Sequence, residues 1–325
     1  MRLLLVEPDA GVAQSLSRRF PTATGIHILG PARSLSAAYH QAEHRRPDVA
    51  LISCEFAMAP EMEVMKVLFR ALGTGAVLFA PTQAEADRVK PRADQLGWSV
   101  VATDAPALAQ TLERVRAPTP VPVRAPRTSA LGSFDPDRIV LIGASTGGVD
   151  ALVQVLRDFP ENCPPTVIVQ HTGAGFSEGL VRLLDRQTSA RVSEARHRMS
   201  VGPGEVVVAP GVSEHLLLTP ADRRLILRAG PPVGGHRPSV DRLFQSAVPL
   251  GANVTAALLT GMGRDGAEGL LALRKAGAMT IAQDKESSVV YGMPRVAAEL
   301  GAVVSVLPLA RIGRAILASC RRCAA

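Results

Sequence analysis

Ile139-Val140-Leu141-Ile142-Gly143-Ala144-Ser145-Thr146-Gly147-Gly148 carries an apolar run straight into a loop of glycine, alanine, serine and threonine. Residues 149–159 then resume with apolar side chains at helical spacing. An uninterrupted apolar run bounded by small residues predicts a strand buried on both faces, as in a parallel sheet, with the following helix as its crossover. The same alternation extends outward through 138–325. Strands are predicted at 166–169, 206–209, 254–259, 279–282 and 303–307, with a further helix at 266–276. Residues 215–218 and 224–227 flank Pro220-Ala221-Asp222 and predict a β-hairpin inserted into a doubly wound, mostly parallel sheet.

Toward the N-terminus the pattern repeats on a smaller scale. Apolar runs at 3–6, 26–29, 49–52, 76–79 and 99–102 alternate with helical spacings such as Val12, Leu16 and Phe20, or Val64, Val67, Leu68 and Leu72. This predicts a flavodoxin-like (βα)5 domain over 1–107. Pro118, Pro120, Pro122 and Pro126 lie together with Arg124 and Arg127, a composition that favours extended chain. Residues 108–137 are therefore expected to be a Pro/Arg-rich linker between the two α/β domains.

The 325 residues are 47% hydrophobic and 20% charged, which excludes a disordered chain. Aromatics are only 3%, so the cores must be aliphatic. No apolar run approaches the ~18 residues of a membrane span, and Glu7 interrupts the N-terminal run before it could serve as a secretion signal. A soluble, cytoplasmic protein without membrane insertion is expected. The net charge of +7 raises the question of nucleic acid. Charge is balanced over 1–107, the excess in the second half forms no basic block, and few aromatics are available for base stacking, so no nucleic-acid partner is expected. Cys54, Cys163, Cys320 and Cys323 are too scattered for a disulfide framework, and Cys320-Arg321-Arg322-Cys323 has no second pair to complete a zinc site; it reads as a frayed, reduced tail.

In an open parallel sheet, ligands bind beyond the carboxyl ends of the strands. Three such ends carry reactive residue types. The first is Gly143-Ala-Ser145-Thr-Gly147, a G-x-S-x-G turn that would expose a serine hydroxyl beside a helix N-terminus. Alone it serves equally as nucleophile, anion cradle or helix cap. The second is Gln170-His171, where the histidine is either a general base or a hydrogen-bonded strand-end residue. The third is Thr260-Gly-Met262-Gly-Arg264-Asp265-Gly266, where Asp265 is either an orienting acid or, with Glu268, a capping box. A serine hydroxyl needs a base, and that base needs an orienting acid. Three residues of these types at three strand ends can converge on one sheet edge, in an order unlike that of the α/β-hydrolases.

Gly143-Ala-Ser-Thr-Gly-Gly148, Gln170-His171, Ala209-Pro-Gly211, His236-Arg-Pro-Ser-Val-Asp241, Leu259-Thr-Gly-Met-Gly263 and Gly292-Met-Pro294 follow one another along the chain. Together they closely resemble the catalytic domain of the chemotaxis protein-glutamate methylesterases, the CheB family, over about 138–318. The resemblance implies that 138–325 is a methylesterase domain with Ser145 as nucleophile, His171 as base and then acid, Asp265 as the orienting carboxylate, and the N–H groups of Thr146 and Met262 as oxyanion donors. It also implies a substrate, the γ-methyl ester of glutamate on the cytoplasmic helices of a methylated chemoreceptor, with glutamine deamidation as a second activity. No cofactor, metal or nucleotide is implied. The segment His236–Asp241 is read as a loop entering a helix capped by Ser239. One departure stands beside His171: Thr172-Gly173-Ala174 replace the family's Met-Pro-Pro, which puts receptor preference in question.

Residues 1–107 are similar to the receiver domain that these enzymes carry, where a sensor kinase or other regulator docks. A receiver takes phosphate on an aspartate at the end of its third strand, with an acidic pair, a hydroxyl residue and a lysine completing the site and its Mg²⁺. Here Ser53 occupies the acceptor position, the acidic pair becomes Glu7-Pro8 with Asp9 displaced, the hydroxyl position falls at Ala80-Pro81, and the fifth strand ends Ala102-Thr103-Asp104 without a lysine. Asp48 and Glu55 flank the strand at the wrong heights. A pseudo-receiver with no phosphoacceptor is expected. Three rivals remain at this point: a receptor-binding scaffold without activity, a serine hydrolase of another ester or amide, and a DNA-binding response regulator, which would need a reader motif absent from 138–325.

Overall fold

A computed structural model describes residues 1–20, 25–103, 108–115, 133–172, 176–211 and 214–322. The chain divides into two compact units, Met1–Val123 and Arg124–Ala325.

In the first unit, β1 (Arg2–Val6), α1 (Ala10–Arg19), β2 (His27–Ala32), α2 (Leu35–Arg45), β3 (Val49–Ser53), α3 (Met62–Leu72), β4 (Gly75–Ala80), α4 (Gln83–Leu96), β5 (Ser99–Ala102) and α5 (Leu108–Val115) alternate along the chain. The sheet is parallel, in the order β2-β1-β3-β4-β5, as a flavodoxin-like (βα)5 domain requires. β3 and β4 are buried along their whole lengths, which is why their sequences are unbroken apolar runs. Side-chain caps start α1, α2 and α4: Asp9 accepts from the Val12 N–H, Ser34 from the Ala37 N–H, and Thr82 and Glu85 form a reciprocal capping box. Sequence reasoning ended this domain at 107. The structure carries it further, because Leu108 and Leu112 of α5 are buried in the same core as Val77, Phe79 and Val101. Most of the expected linker, 116–132, lies outside the described residues.

The second unit contains β6 (Ile139–Ala144), α6 (Gly148–Leu156), β7 (Thr166–Gln170), α7 (Ser177–Gln187), β8 (Arg191–Glu194), β9 (Met199–Ser200), β10 (Glu205–Val208), β11 (His215–Leu218), β12 (Arg224–Arg228), α8 (Val240–Ser246), β13 (Val254–Leu258), α9 (Ala267–Lys275), β14 (Met279–Gln283), α10 (Met293–Glu299), β15 (Ser305–Leu307) and α11 (Leu309–Ser319). Seven strands form one parallel sheet in the order β15-β14-β13-β6-β7-β10-β8. The hairpin β11–β12 is present, and β9 joins it to make a separate three-stranded antiparallel sheet. From β6 the chain winds one way to β7 and later returns on the other side as β13, so the topological switch lies between β6 and β13. In such sheets the crevice beyond that switch is where ligands bind. Cys320, read from sequence as part of a frayed tail, is fully buried with its thiol 3.6 Å from the Thr255 hydroxyl; Cys323 lies outside the described residues.

Candidate active site

Ser145, His171 and Asp265 gather at the switch crevice. Ala144 of β6 pairs with Gln170 of β7, so Ser145 and His171 are the next residues on two adjacent strands. Adjacent strands lie ~4.8 Å apart, which brings the two residues side by side. The His171 N–H donates to Ala144 O at 3.1 Å, and the Ser145 N–H donates to Thr260 O at 3.0 Å, on the β13 side. Gly147, the residue before α6, takes φ +77 and is closely approached by Val289, so the turn that presents Ser145 needs glycine for both conformation and space.

Asp265 is 3% exposed and its two oxygens accept four hydrogen bonds. Oδ1 accepts from the Ser239 hydroxyl at 2.8 Å and the Asp241 N–H at 3.0 Å; Oδ2 accepts from the Val240 N–H at 2.8 Å and His171 Nε2 at 2.9 Å. Burial pushes this carboxyl up. The His171 ring, the Asp241 N–H and the Ser239 hydroxyl together outweigh burial and hold it below the ordinary carboxylate range. A carboxylate that accepts from Nε2 commits that nitrogen as the donor. In a neutral His171 the basic lone pair is therefore on Nδ1, which is buried and has no hydrogen-bond partner among the described residues, Ser145 included. Catalytic hydrogen bonds are commonly open before substrate binds.

The alternative reading of Asp265 as a capping residue for α9 is not realised. Gly266 is the N-cap of α9 and makes no side-chain cap bond, while the Asp265 carboxylate has turned to the first N–H groups of α8. Ser239 does cap α8, accepting from the Arg242 N–H, as expected from sequence. What sequence reasoning missed is that the same hydroxyl donates to Asp265. It also missed His236, whose ring stacks on His171 with centroids 3.8 Å apart and an interplanar angle of 5°. Desolvation pushes the His236 ring down, and charge on His171 adds to that against the opposing pull of Asp265. Both residues were in view as parts of one motif, but nothing local indicated which distant group that loop would reach.

Thr146 and Met262 follow directly on the two loops, and neither backbone N–H donates to another group among the described residues. The peptide before each is tied down through its carbonyl: Ser145 O accepts from Gly148 N at 2.7 Å, and Gly261 O accepts from Gly292 N at 3.1 Å and Met293 N at 2.8 Å. Met262 itself is 67% exposed and Val289 52%, giving the site an apolar rim. Among the described residues, no group of three His, Cys, Asp or Glu side chains is placed to hold a metal ion. A serine beside an imidazole that is fixed by an ionised acid, together with two undirected N–H groups, are the parts needed for acyl transfer.

In the first unit the end of β3 places Ser53 buried beside the end of β1, where Glu7 is also buried. Glu7 accepts from the Asp9 N–H at 2.8 Å, and Asp9 caps α1. Asp48 sits at the opposite end of β3, accepting from the Arg2 N–H at 2.6 Å, and Glu55 is exposed beyond the strand in a single 3-10 turn. Thr103 donates its hydroxyl to Pro81 O at 3.2 Å; Asp104 and residues 173–175 after His171 lie outside the described residues.

The model of the family described as CheB methylesterase matches residues 140–316. Over 348 residues the chain is 40% identical to the protein-glutamate methylesterase/protein-glutamine glutaminase 1 of Caulobacter vibrioides, covering 99% of each. A second relative, the protein-glutamate methylesterase/protein-glutamine glutaminase of Gluconobacter oxydans, is 54% identical over 189 residues, 57% of this chain and 54% of that one. Among solved structures, the crystal structure of the Thermotoga maritima CheB methylesterase catalytic domain matches with a TM-score of 0.54 and 35% identity, over 56% of this chain and 97% of that one.

Proposed function

The chain belongs to the CheB methylesterase family, and from that membership and the site geometry we propose that it hydrolyses glutamate γ-methyl esters, and deamidates glutamine side chains, on the cytoplasmic helices of methylated chemoreceptors. The observation that carries the mechanism is the bond from His171 Nε2 to a buried, ionised Asp265, which leaves Nδ1 as a free base one strand away from Ser145. Nδ1 takes the Ser145 proton as Oγ attacks the ester carbonyl. The resulting oxyanion is held by the Thr146 and Met262 N–H groups, a role worth about 3–4 kcal/mol per donor in comparable enzymes. Collapse of the tetrahedral intermediate passes the proton from Nδ1 to the departing oxygen, and methanol leaves. Water then attacks the acyl-serine with His171 again as base, releasing glutamate and restoring Ser145. With an amide substrate, ammonia leaves in place of methanol. Asp265 stays ionised throughout and stabilises the imidazolium that forms at each step.

The first unit is proposed to be a pseudo-receiver that takes no phosphate and acts by docking a sensor kinase or another regulator. Methanol release from methylated receptor by the full chain tests the main reading. Wild type should release methanol with no phosphodonor present, and Ser145→Ala should release none. A silent wild type would remove the substrate assignment.

A further inference from the structure

Gln170 is the last residue of β7 and 4% exposed. Its Nε2 donates to two backbone carbonyls, Ser145 O at 2.9 Å and His171 O at 3.1 Å. The amide cannot face the other way, because its oxygen would then meet both carbonyls. The consequence is an orphan: Gln170 Oε1 is buried and has no partner among the described residues. Buried unpaired acceptors are rare enough to require a reason. The space around this one is also reserved, since a Cβ on Gly148 would lie 2.1 Å from Oε1.

The reason lies in the peptide that Gln170 grips. Within a planar trans peptide, the C=O and the N–H point in opposite directions. Ser145 O and the Thr146 N–H belong to one such peptide. Drawing Ser145 O toward Gln170 and the Gly148 N–H turns the Thr146 N–H the opposite way. Had this peptide rotated, its carbonyl would present negative charge where the oxyanion must form. The Gly261-Met262 peptide is fixed by the same logic, but through the Gly292 and Met293 N–H groups, which are backbone. One donor peptide is thus held by main chain, the other by main chain plus a single side chain.

We propose that Gln170 is a positioning residue that presets the oxyanion hole by anchoring the Ser145-Thr146 peptide, at the expense of leaving its own Oε1 unpaired. This rests on the acyl-transfer reading of the site. Its test does not rest on the receptor substrate. A fluorophosphonate probe phosphonylates any activated serine: Ser145 Oγ bonds to phosphorus, fluoride leaves, the proton passes to His171, and the phosphoryl oxygen occupies the oxyanion position.

The labelling rate of Ser145 in the full chain should fall about tenfold to a hundredfold in Gln170→Met, less than the loss of a whole donor because Gly148 N still holds the carbonyl. On methylated receptor the same variant should lose kcat by a similar factor, with KM within about twofold and the pH midpoint of the rate unmoved. Gln170→Glu retains the shape and covers the case in which the methionine variant does not fold. Once ionised, that glutamate presents only acceptors to the two carbonyls. Its labelling should therefore turn down as pH rises, where wild type shows no such fall. Wild-type labelling rates in both variants would overturn the proposal, as would a shifted pH midpoint in Gln170→Met, which would assign the effect to the His171 carbonyl. Wild type that labels normally but releases no methanol would overturn the substrate assignment alone.

Discussion

Asp265 makes four hydrogen bonds with two oxygens, and every donor is fixed by fold: two N–H groups of α8, the hydroxyl that caps it and one imidazole. Asparagine keeps an acceptor for only two of the four donors. Whichever way its amide turns, an NH2 meets donors, and if it faces His171 the ring must shift to the other tautomer, removing the base on Nδ1. Asp265→Asn should lower kcat about 10³–10⁴-fold and the folding stability by about 1–3 kcal/mol, read by methanol release and thermal melting. Because the folded carboxyl is held below its ordinary value, it stabilises the fold above pH ~4 and loses that contribution as acid passes through the lowered value. The wild-type melting temperature should therefore fall more steeply below pH ~4 than that of the variant. His236 acts on the same ring from its face. Removing the stack in His236→Ala should slow turnover by about tenfold through a looser base, and His236→Phe, which replaces one flat ring by another, should restore most of it; equal loss in both would show that the imidazole itself is needed.

At the scale of elements, the strands that build the site were legible because they are buried on both faces. β6 reads as an apolar run, β7 as one between Thr166 and Gln170, and β13 as one interrupted only by Thr255, and their ends named Ser145, His171 and the loop bearing Asp265. β8 was not legible: Arg191–Glu194 is an edge strand with one fully buried residue, and β9 is too short to carry a pattern. The partners of Asp265 were hidden for another reason. A capping box is a local signal, whereas the α8 N–H groups that won the carboxylate lie some 25 residues away in sequence, brought there by packing. The loop after β13 shows how closely that packing constrains the site. A Cβ on Gly261 would lie 2.3 Å from Met293 Sδ and 2.7 Å from Ser145 Cβ, so Gly261→Ala must displace Ser145, the proposed nucleophile, or the loop itself. Gly263, two residues on, has open space but φ +83, so Gly263→Ala meets only backbone strain of about 1–2 kcal/mol. Both variants should melt at lower temperature, while the larger loss of methanol release, about a hundredfold, should belong to Gly261→Ala.

On the scale of the whole molecule, the two units use one construction principle and differ in what they place at it. Each is a parallel sheet with a switch point, between β1 and β3 in the first and between β6 and β13 in the second. At the second switch the loops bring His171, whose Nδ1 has no partner among the described residues, beside Ser145. At the first, Glu7 accepts from the Asp9 N–H, Asp9 caps the start of α1, Asp48 is bonded to Arg2 at the far end of the strand, and Glu55 is exposed beyond it. Phosphoryl transfer to a receiver needs a carboxylate nucleophile and acidic metal ligands at this point. Ser53 is buried beside Glu7, and a serine hydroxyl forms no acyl phosphate. A small acyl phosphate donor with Mg²⁺ should therefore leave both the intact mass of the chain and its rate of methanol release unchanged. A phosphoryl group mapped to Ser53, Asp48 or Glu55, or a donor-dependent rise in methanol release, would return the first unit to the class of phosphorylated switches. Unchanged mass and rate would direct the search for regulation to whatever docks on its surface.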